Sequence, residues 1–385
     1  MFASRTAWKL TPNRLAAAVE RHLQSGKKLL DLTASNPTTV GIHYDEAAIL
    51  RALSRREVLE YCPHAKGSPS ARQAVAGYYR ERGDFTPHIE NIVLTASTSE
   101  GYSFVFRLLC EPGDEVLVPV PSYPLFEYLA SLEDVRPVGY QLFYDHGWHL
   151  DLHSLEKAIT ARSRAVVVVN PNNPTGSYVS ESAKQAMNEL CSRHHLALIV
   201  DEVFLDYQLR GDTRASFVGN REVLTFTLSG LSKIVALPQM KLAWIAISGP
   251  EELAAAASAR LEVIADTYLS VGTPVQVAAP ALLELRSAAQ AELRDRIRQN
   301  LDLLDAQLAR QPQCSRLHLE GGWYAVLRVP AIGSDEDLAL ALLEQHSVLV
   351  HPGHFFDFQQ EGYLVVSLIT PTADFATGAA KILTL

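Results

Sequence analysis

Two rhythms of apolar and polar positions run along the chain. Short runs dominated by apolar residues stand at Asn91–Thr95 (NIVLT), Glu115–Pro119 (EVLVP), Ala165–Val169 (AVVVV), Leu196–Val200 (LALIV), Val223–Thr227 (VLTFT) and Leu242–Ile247 (LAWIAI). Runs of this length read as strands, and one apolar at every position, such as AVVVV, reads as a strand buried on both faces. Segments of helical period alternate with them. Thr98–Cys110 is closed by Pro112-Gly113, and Glu181–His195 leads directly into LALIV. The alternation predicts an α/β fold with a mainly parallel central sheet and helices on both faces.

The two ends of the chain follow another pattern. Between Pro12 and Gly26, Leu15, Ala18, Val19 and Leu23 fall at helical spacing. Beyond the βα region, Ala288–Arg310 reads as one long helix rich in Arg, Gln and Leu. Strands at Trp323–Val329 and Tyr363–Leu368 follow, with a helix over Glu336–Gln345 between them. This predicts a smaller α+β domain built from both termini: residues 1–45 pack with 281–385, and residues 46–280 form the large domain.

Composition narrows the classes. At about 150 residues per domain, 385 residues make two or three domains. Apolar content of 48% and charged content of 20% exclude disorder as the main state. A net charge of −9 argues against a nucleic-acid partner, which needs a basic face. No apolar run approaches the roughly 18 residues of a membrane helix. The N-terminus (MFASRTAWKLTPN) lacks an apolar stretch of signal-peptide length, which points to a cytoplasmic protein. Cys62, Cys110, Cys191 and Cys314 are far apart with no CxxC, so neither a disulfide framework nor a zinc site is expected. His351 and His354 (HPGH) lack an evident third ligand, so no metal is expected and the segment reads as a loop near the site.

Ligands of open α/β sheets bind at the carboxyl ends of the strands. After NIVLT come Ala96-Ser97-Thr98-Ser99-Glu100 at the start of a helix, either an anion site or an ordinary Ser/Thr cap. After AVVVV comes Asn170-Pro171-Asn172-Asn173-Pro174-Thr175-Gly176, a structural turn or an amide donor held over a ring. After LALIV comes Asp201-Glu202. A carboxylate at the end of a buried strand needs a partner, whether a heteroaromatic cation, a salt bridge or a helix cap. After VLTFT comes Leu228-Ser229-Gly230-Leu231-Ser232-Lys233. That lysine is either a desolvated amine fit for Schiff-base chemistry or a solvated surface residue.

In combination, NPNNPTG, DEVF and SGLSK, each closing a strand, resemble the aspartate aminotransferase superfamily of pyridoxal-phosphate enzymes, fold type I, class I/II. The likeness extends over nearly the whole chain. It takes in PSYPLF (Pro121–Phe126), Tyr61…Gly67…Arg72, Gly321-Gly322-Trp323-Tyr324 and Pro352-Gly353. The resemblance implies pyridoxal 5′-phosphate as cofactor and residues 46–280 as its binding domain. It implies that Lys233 carries the Schiff base and shuttles the proton, Asp201 pairs with the ring nitrogen, Asn173 donates to the ring oxygen and Tyr123 stacks on the ring. Ser97, Thr98 and Ser99 would hold the phosphate, with Ser229 and Ser232 as further hydroxyls, because Gly230 stands where the family has serine. Tyr61 would reach the phosphate of a neighbouring subunit, implying a homodimer with shared sites.

Several positions depart from the family pattern. Phe204 replaces a tyrosine that bonds the ring oxygen, so the Schiff-base proton should be held more tightly. Lys241 replaces an arginine, keeping the charge and losing the fork. Ser35 replaces a glycine beside the substrate, and Trp323 either lines the pocket or packs in the core. Asp266 and Thr267 stand where some relatives contact the distal end of the substrate. Val365, in Gly362-Tyr363-Leu364-Val365-Val366-Ser367, occupies the place of the arginine that clamps a substrate carboxylate. The resemblance therefore implies an aminotransferase acting on small amine or amino-acid and keto substrates, with atypical substrate recognition. The alternatives are a lyase, decarboxylase or cyclase on the same fold, or an inert cofactor-binding homologue.

Overall fold

The computed structural model describes residues 1–209 and 214–383. A two-residue strand, β1 (Leu30–Asp31), precedes the main sheet. That sheet comprises β2 (Ile92–Thr95), β3 (Glu115–Val120), β4 (Arg136–Tyr144), β5 (Trp148–Leu150), β6 (Ser163–Val169), β7 (Ala197–Asp201), β8 (Thr225–Gly230) and β9 (Ala243–Ser248). Shorter strands follow: β10 (Ser315–Arg316), β11 (Tyr324–Arg328), β12 (Val348–Leu349), β13 (His351–Pro352) and β14 (Tyr363–Ser367).

The main sheet has the order β2-β9-β8-β7-β6-β3-β4-β5. Strands β8, β7, β6, β3 and β4 pair in parallel, as the expected α/β fold requires. β9 runs antiparallel to both β2 and β8. Its reversal has a simple cause. The helix between β8 and β9, Leu231–Ile234, has 4 residues and rises about 6 Å, while a six-residue strand spans about 20 Å. A helix that short cannot carry the chain back along the sheet, so β9 returns beside β8 in the opposite sense.

Strand alternation sorts the core into two layers. Val167, Ile199, Phe226 and Leu228 face helices Thr98–Leu109 and Glu251–Tyr268. Val166, Val168, Leu198 and Val200 face helix Glu181–His194 through Met187, Leu190 and Cys191. β4, half exposed along its length, carries too little apolar signal to stand out in the sequence.

A second sheet has the order β10-β11-β14-β13, all antiparallel. β1 pairs in parallel with β12, so the N-terminal segment is stitched to the C-terminal one. The first long helix spans Arg14–Gln24, two residues shorter at each end than the pattern suggests, because Asn13 caps it by accepting from Ala16 N at 2.7 Å. One apolar cluster joins Leu15, Leu32 and Val40 to Leu293, Leu327, Val348, Leu364 and Phe375. The long helix Arg286–Leu308 buries Asn300, whose amide nitrogen donates to the carbonyls of Leu368 and Thr370, both at 2.8 Å.

Asn300 thus fixes the segment that leaves β14. Asn300→Ala would leave two buried carbonyls without donors, at about 1–3 kcal/mol each before relaxation. The expected result is a lower urea midpoint with little change in slope; a midpoint within error of the parent would refute the assignment.

Candidate active site

The parallel strands end on a cavity of about 410 Å³. Val169 closes β6, Asp201 closes β7, Gly230 closes β8, and Ser97-Thr98-Ser99 follow β2. Each chemistry-bearing segment singled out in the sequence therefore lies at a strand's carboxyl end, and the sheet brings them to one opening. Ser35, Ser97, Thr98, Ser99, Tyr123, Asn173, Asp201, Ser232 and Lys233 all line it.

Asp201 and its neighbour divide by strand alternation. Asp201 points into the cavity, while Glu202 points away and accepts from Ser216 Oγ at 2.5 Å and Phe217 N at 2.8 Å. Asp201 accepts from Tyr102 O–H at 3.2 Å and Val203 N at 3.1 Å. Burial pushes its carboxyl up to about 6, although both hydrogen bonds and the charge of Lys233 pull the other way. Glu202, more deeply enclosed, is pushed up to about 7 by the same cause.

Lys233 sits in the short helix after β8. Tyr207 donates to its carbonyl at 2.7 Å, and Tyr44 donates to the carbonyl of Ala236 at 2.8 Å, so two phenols pin the turn. The ammonium lies 4.4 Å from the Trp323 ring centroid and 5.3 Å from that of Phe204. It donates to Ser35 O at 3.4 Å. Burial lowers its pKa to about 8, and Asp201 opposes that shift. With its pKa this low the amine is still mostly protonated at physiological pH, but a far larger share is neutral than in an ordinary lysine.

At the opposite end, Ser97 caps helix Thr98–Leu109 by accepting from Glu100 N at 3.1 Å. Glu100 in turn accepts from Ala96 N at 2.7 Å. The N–H groups of Thr98 and Ser99 take no acceptor among the described residues, so they and the helix dipole present an anion site. Asn173 holds a buried amide oxygen with no hydrogen-bond partner. An orphaned amide, a free helix N-terminus, a carboxylate and a desolvated amine around one cavity fit a phosphorylated heteroaromatic aldehyde.

Other candidates lie off the cavity wall. Ser229 is 1% exposed and donates to Glu202 O at 3.4 Å, inside the sheet. Gly230 has no room for a side chain: a β-carbon there would stand 2.8 Å from that of Ala243. Of the hydroxyls in this segment, Ser232 is the one that faces the opening. Lys241 is exposed in the left-handed region (φ 52), and Tyr61 is 78% exposed beside a separate pocket lined by Cys62, His64 and Gln276. Trp323 is fully enclosed behind Lys233 and edge-on to Phe204 at 5.3 Å. Val365 is fully enclosed in β14, and Asp266 and Thr267 belong to helix Glu251–Tyr268.

Tyr324, His351, Phe355 and Phe356 line the cavity without having been singled out as site residues. Alternation along β11 could have distinguished Tyr324 from Trp323, since adjacent strand residues face opposite sides. His351 belongs to strand β13, where a loop was expected. Among the described residues no group of three metal ligands occurs, and no helix is long and apolar enough to cross a membrane.

The family model for aminotransferases of class I and II matches residues 27–381. Alanine aminotransferase of Mycobacterium bovis is 28% identical over 376 residues, covering 93% of this chain and 85% of that protein. The crystal structure of an aminotransferase from Escherichia coli superposes with a TM-score of 0.87 at 25% identity, covering 100% of this chain and 97% of the other. Alanine aminotransferase from Pyrococcus furiosus shares the fold at a TM-score of 0.90 and 22% identity, with coverage of 100% and 99%. With these matches added to the strand-end cavity, the chain belongs to the class I and II aminotransferase family and is a pyridoxal-phosphate-dependent aminotransferase.

Proposed function

We propose that the protein moves an amino group between a small amine donor and a carbonyl acceptor at the Lys233–Asp201 cavity, with a recognition wall that lacks a guanidinium. The observation that carries this reading is the shared cavity itself: amine, carboxylate, orphaned amide and free helix N-terminus converge on it. Bound there, pyridoxal 5′-phosphate supplies an aldehyde that takes up the amino group and a ring that withdraws electrons.

The chain's own residues divide the remaining work. The N–H groups of Thr98 and Ser99, with the hydroxyls of Ser97, Thr98, Ser99 and Ser232, hold the phosphate. Asp201 retains a proton on its heteroaromatic partner; its own burial makes an isolated negative charge costly and a cationic partner favourable. Asn173 would donate from its amide to the ring oxygen, and Tyr123 would supply an aromatic face for the ring. Lys233 would be the covalent anchor and would serve as the base that moves a proton at the substrate's α-carbon. An amine with a pKa near 8 suits that task.

Two features support the finer reading. Phe204, 5% exposed, puts a hydrocarbon edge where the family pattern has a phenol. On the substrate side, Val365 stands in the sheet wall, and among the lining residues Lys233 is the sole Lys or Arg. Relatives named for alanine, glutamate and pyruvate support small amino and keto substrates. The reading extends to a homodimer, in which exposed Tyr61, Leu59 and Leu50 face a second copy and Tyr61 and Lys241 complete the phosphate sites.

Two measurements test the machinery. In cofactor-free protein, acetylation of Lys233 should reach its half-maximal rate near pH 8, since the neutral amine is the reactive form. A midpoint at the ordinary lysine value of about 10.4 would contradict the desolvated site. Lys233→Ala should abolish both the visible absorbance of loaded protein and amino transfer to an added keto compound. Retained transfer would sink the assignment, and ammonia or carbon dioxide release by the parent would indicate a lyase instead.

A further inference from the structure

The wall facing the reacting amine is built by the small sheet. β14 lies between β11 and β13, in a register that sets Val365 opposite Val326 on one side and His351 on the other, and sets Ser367 opposite Tyr324. Directly paired and two-apart residues share a face, so Tyr324, Val326, His351 and Val365 lie on the same side of the sheet. Tyr324 and His351 reach the cavity, and Val365 stays fully enclosed between its neighbours. The imidazole therefore stands in the cavity directly beside the position that carries a guanidinium in the family pattern.

The surroundings of His351 are specific. Its ring is edge-on to Phe356 (5.6 Å, 81°) and tilted against Phe355 (6.2 Å, 50°). Neither ring nitrogen has a hydrogen-bond partner among the described residues. Burial lowers the imidazole pKa below its usual range, with Asp31 opposing, so the ring is neutral at physiological pH and carries one donor and one acceptor. Ser35 lines the same wall, beside the Tyr324 phenol. The wall thus offers an imidazole and two hydroxyls, backed by two phenylalanines.

A substrate carboxylate placed here would meet donors without a compensating cation, because Lys233, the one Lys or Arg of the lining, is committed as the covalent anchor. Burying an anion unpaired is costly, whereas a neutral hydroxyl or amide needs only the donors and acceptor present. We propose that His351 is the specificity-determining residue of this enzyme, hydrogen-bonding a neutral polar group on the substrate's α-carbon. The substrate class is then primary amines bearing a hydroxymethyl or carboxamide group in place of a carboxylate. This inference rests on the amino-transfer reading above and assigns the substrate class of the same site.

The test uses protein loaded with pyridoxal phosphate, mixed without acceptor with L-alanine, L-alaninol or L-alaninamide, and followed by visible absorbance. The alcohol or amide should react at least about tenfold faster per molar concentration than L-alanine. His351→Leu should reduce that ratio to near one with the visible band retained, and His351→Asn should restore part of it. A parent ratio below about threefold, or a ratio that His351→Leu leaves unmoved, overturns the inference while amino transfer stands. If no amine changes the spectrum, the functional reading itself fails and takes this inference with it. The parent ratio decides even if His351→Leu does not fold.

Discussion

Burial of one carboxylate and one ammonium at the edge of a single cavity is the constraint from which the rest follows. Asp201 ends β7, and Lys233 stands in the short helix directly after the adjacent parallel strand β8, so the backbone delivers them to the same opening without any long loop having to fold across. Desolvation moves both toward neutrality, Asp201 up to about 6 and Lys233 down to about 8, and each charge restrains the other's shift. A carboxylate and an amine in water would show neither tendency. The sheet therefore acts on the chemistry by excluding water from its carboxyl edge, and the large apolar layers on both faces make that exclusion rigid.

Rigidity also explains how the lysine is aimed. Its helix is 4 residues long and has little cohesion of its own. The phenols of Tyr44 and Tyr207 bond the carbonyls of that turn, and Gly230 lets β8 lie against Ala243 closely enough to set its start. The same close approach accounts for one departure from the family pattern. A serine at 230 would drive its β-carbon into the neighbouring strand, and the hydroxyl of this segment that lines the cavity stands two residues on, at Ser232.

The parts legible in the sequence were those governed by local pattern. Runs such as AVVVV and LALIV declared buried parallel strands because every position is apolar, and the motifs after them declared themselves by position. The reversed direction of β9 was not legible, since direction depends on the three-dimensional reach of its connection. β4 was missed because half its positions are exposed. In the site, Trp323 and Tyr324 could be named as a pair, but which of them meets the cavity depends on strand phase. The structure encloses Trp323 behind Lys233 and turns Tyr324 inward. His351 was the hardest to read, because its partner across the sheet lies fourteen residues on in the chain and only register brings them side by side.

That register gives the proposed lack of a guanidinium clamp at 365 a structural counterpart. Position 365 on β14 lies directly beside His351, whose imidazole packs against the rings of Phe355 and Phe356. Valine is the complement of such an arrangement: a short, branched side chain that fills the sheet between Val326 and His351 and leaves the polar edge of the wall to its neighbours. The proposed exchange of a charged clamp for a neutral one is then coherent with the cavity's electrostatics. The lining retains Asp201 as its sole carboxylate, and Lys233, the sole Lys or Arg, is occupied as the covalent anchor of the proposed reaction. A neutral substrate group adds no further charge to that balance, whereas a substrate carboxylate would have no fixed cation of its own.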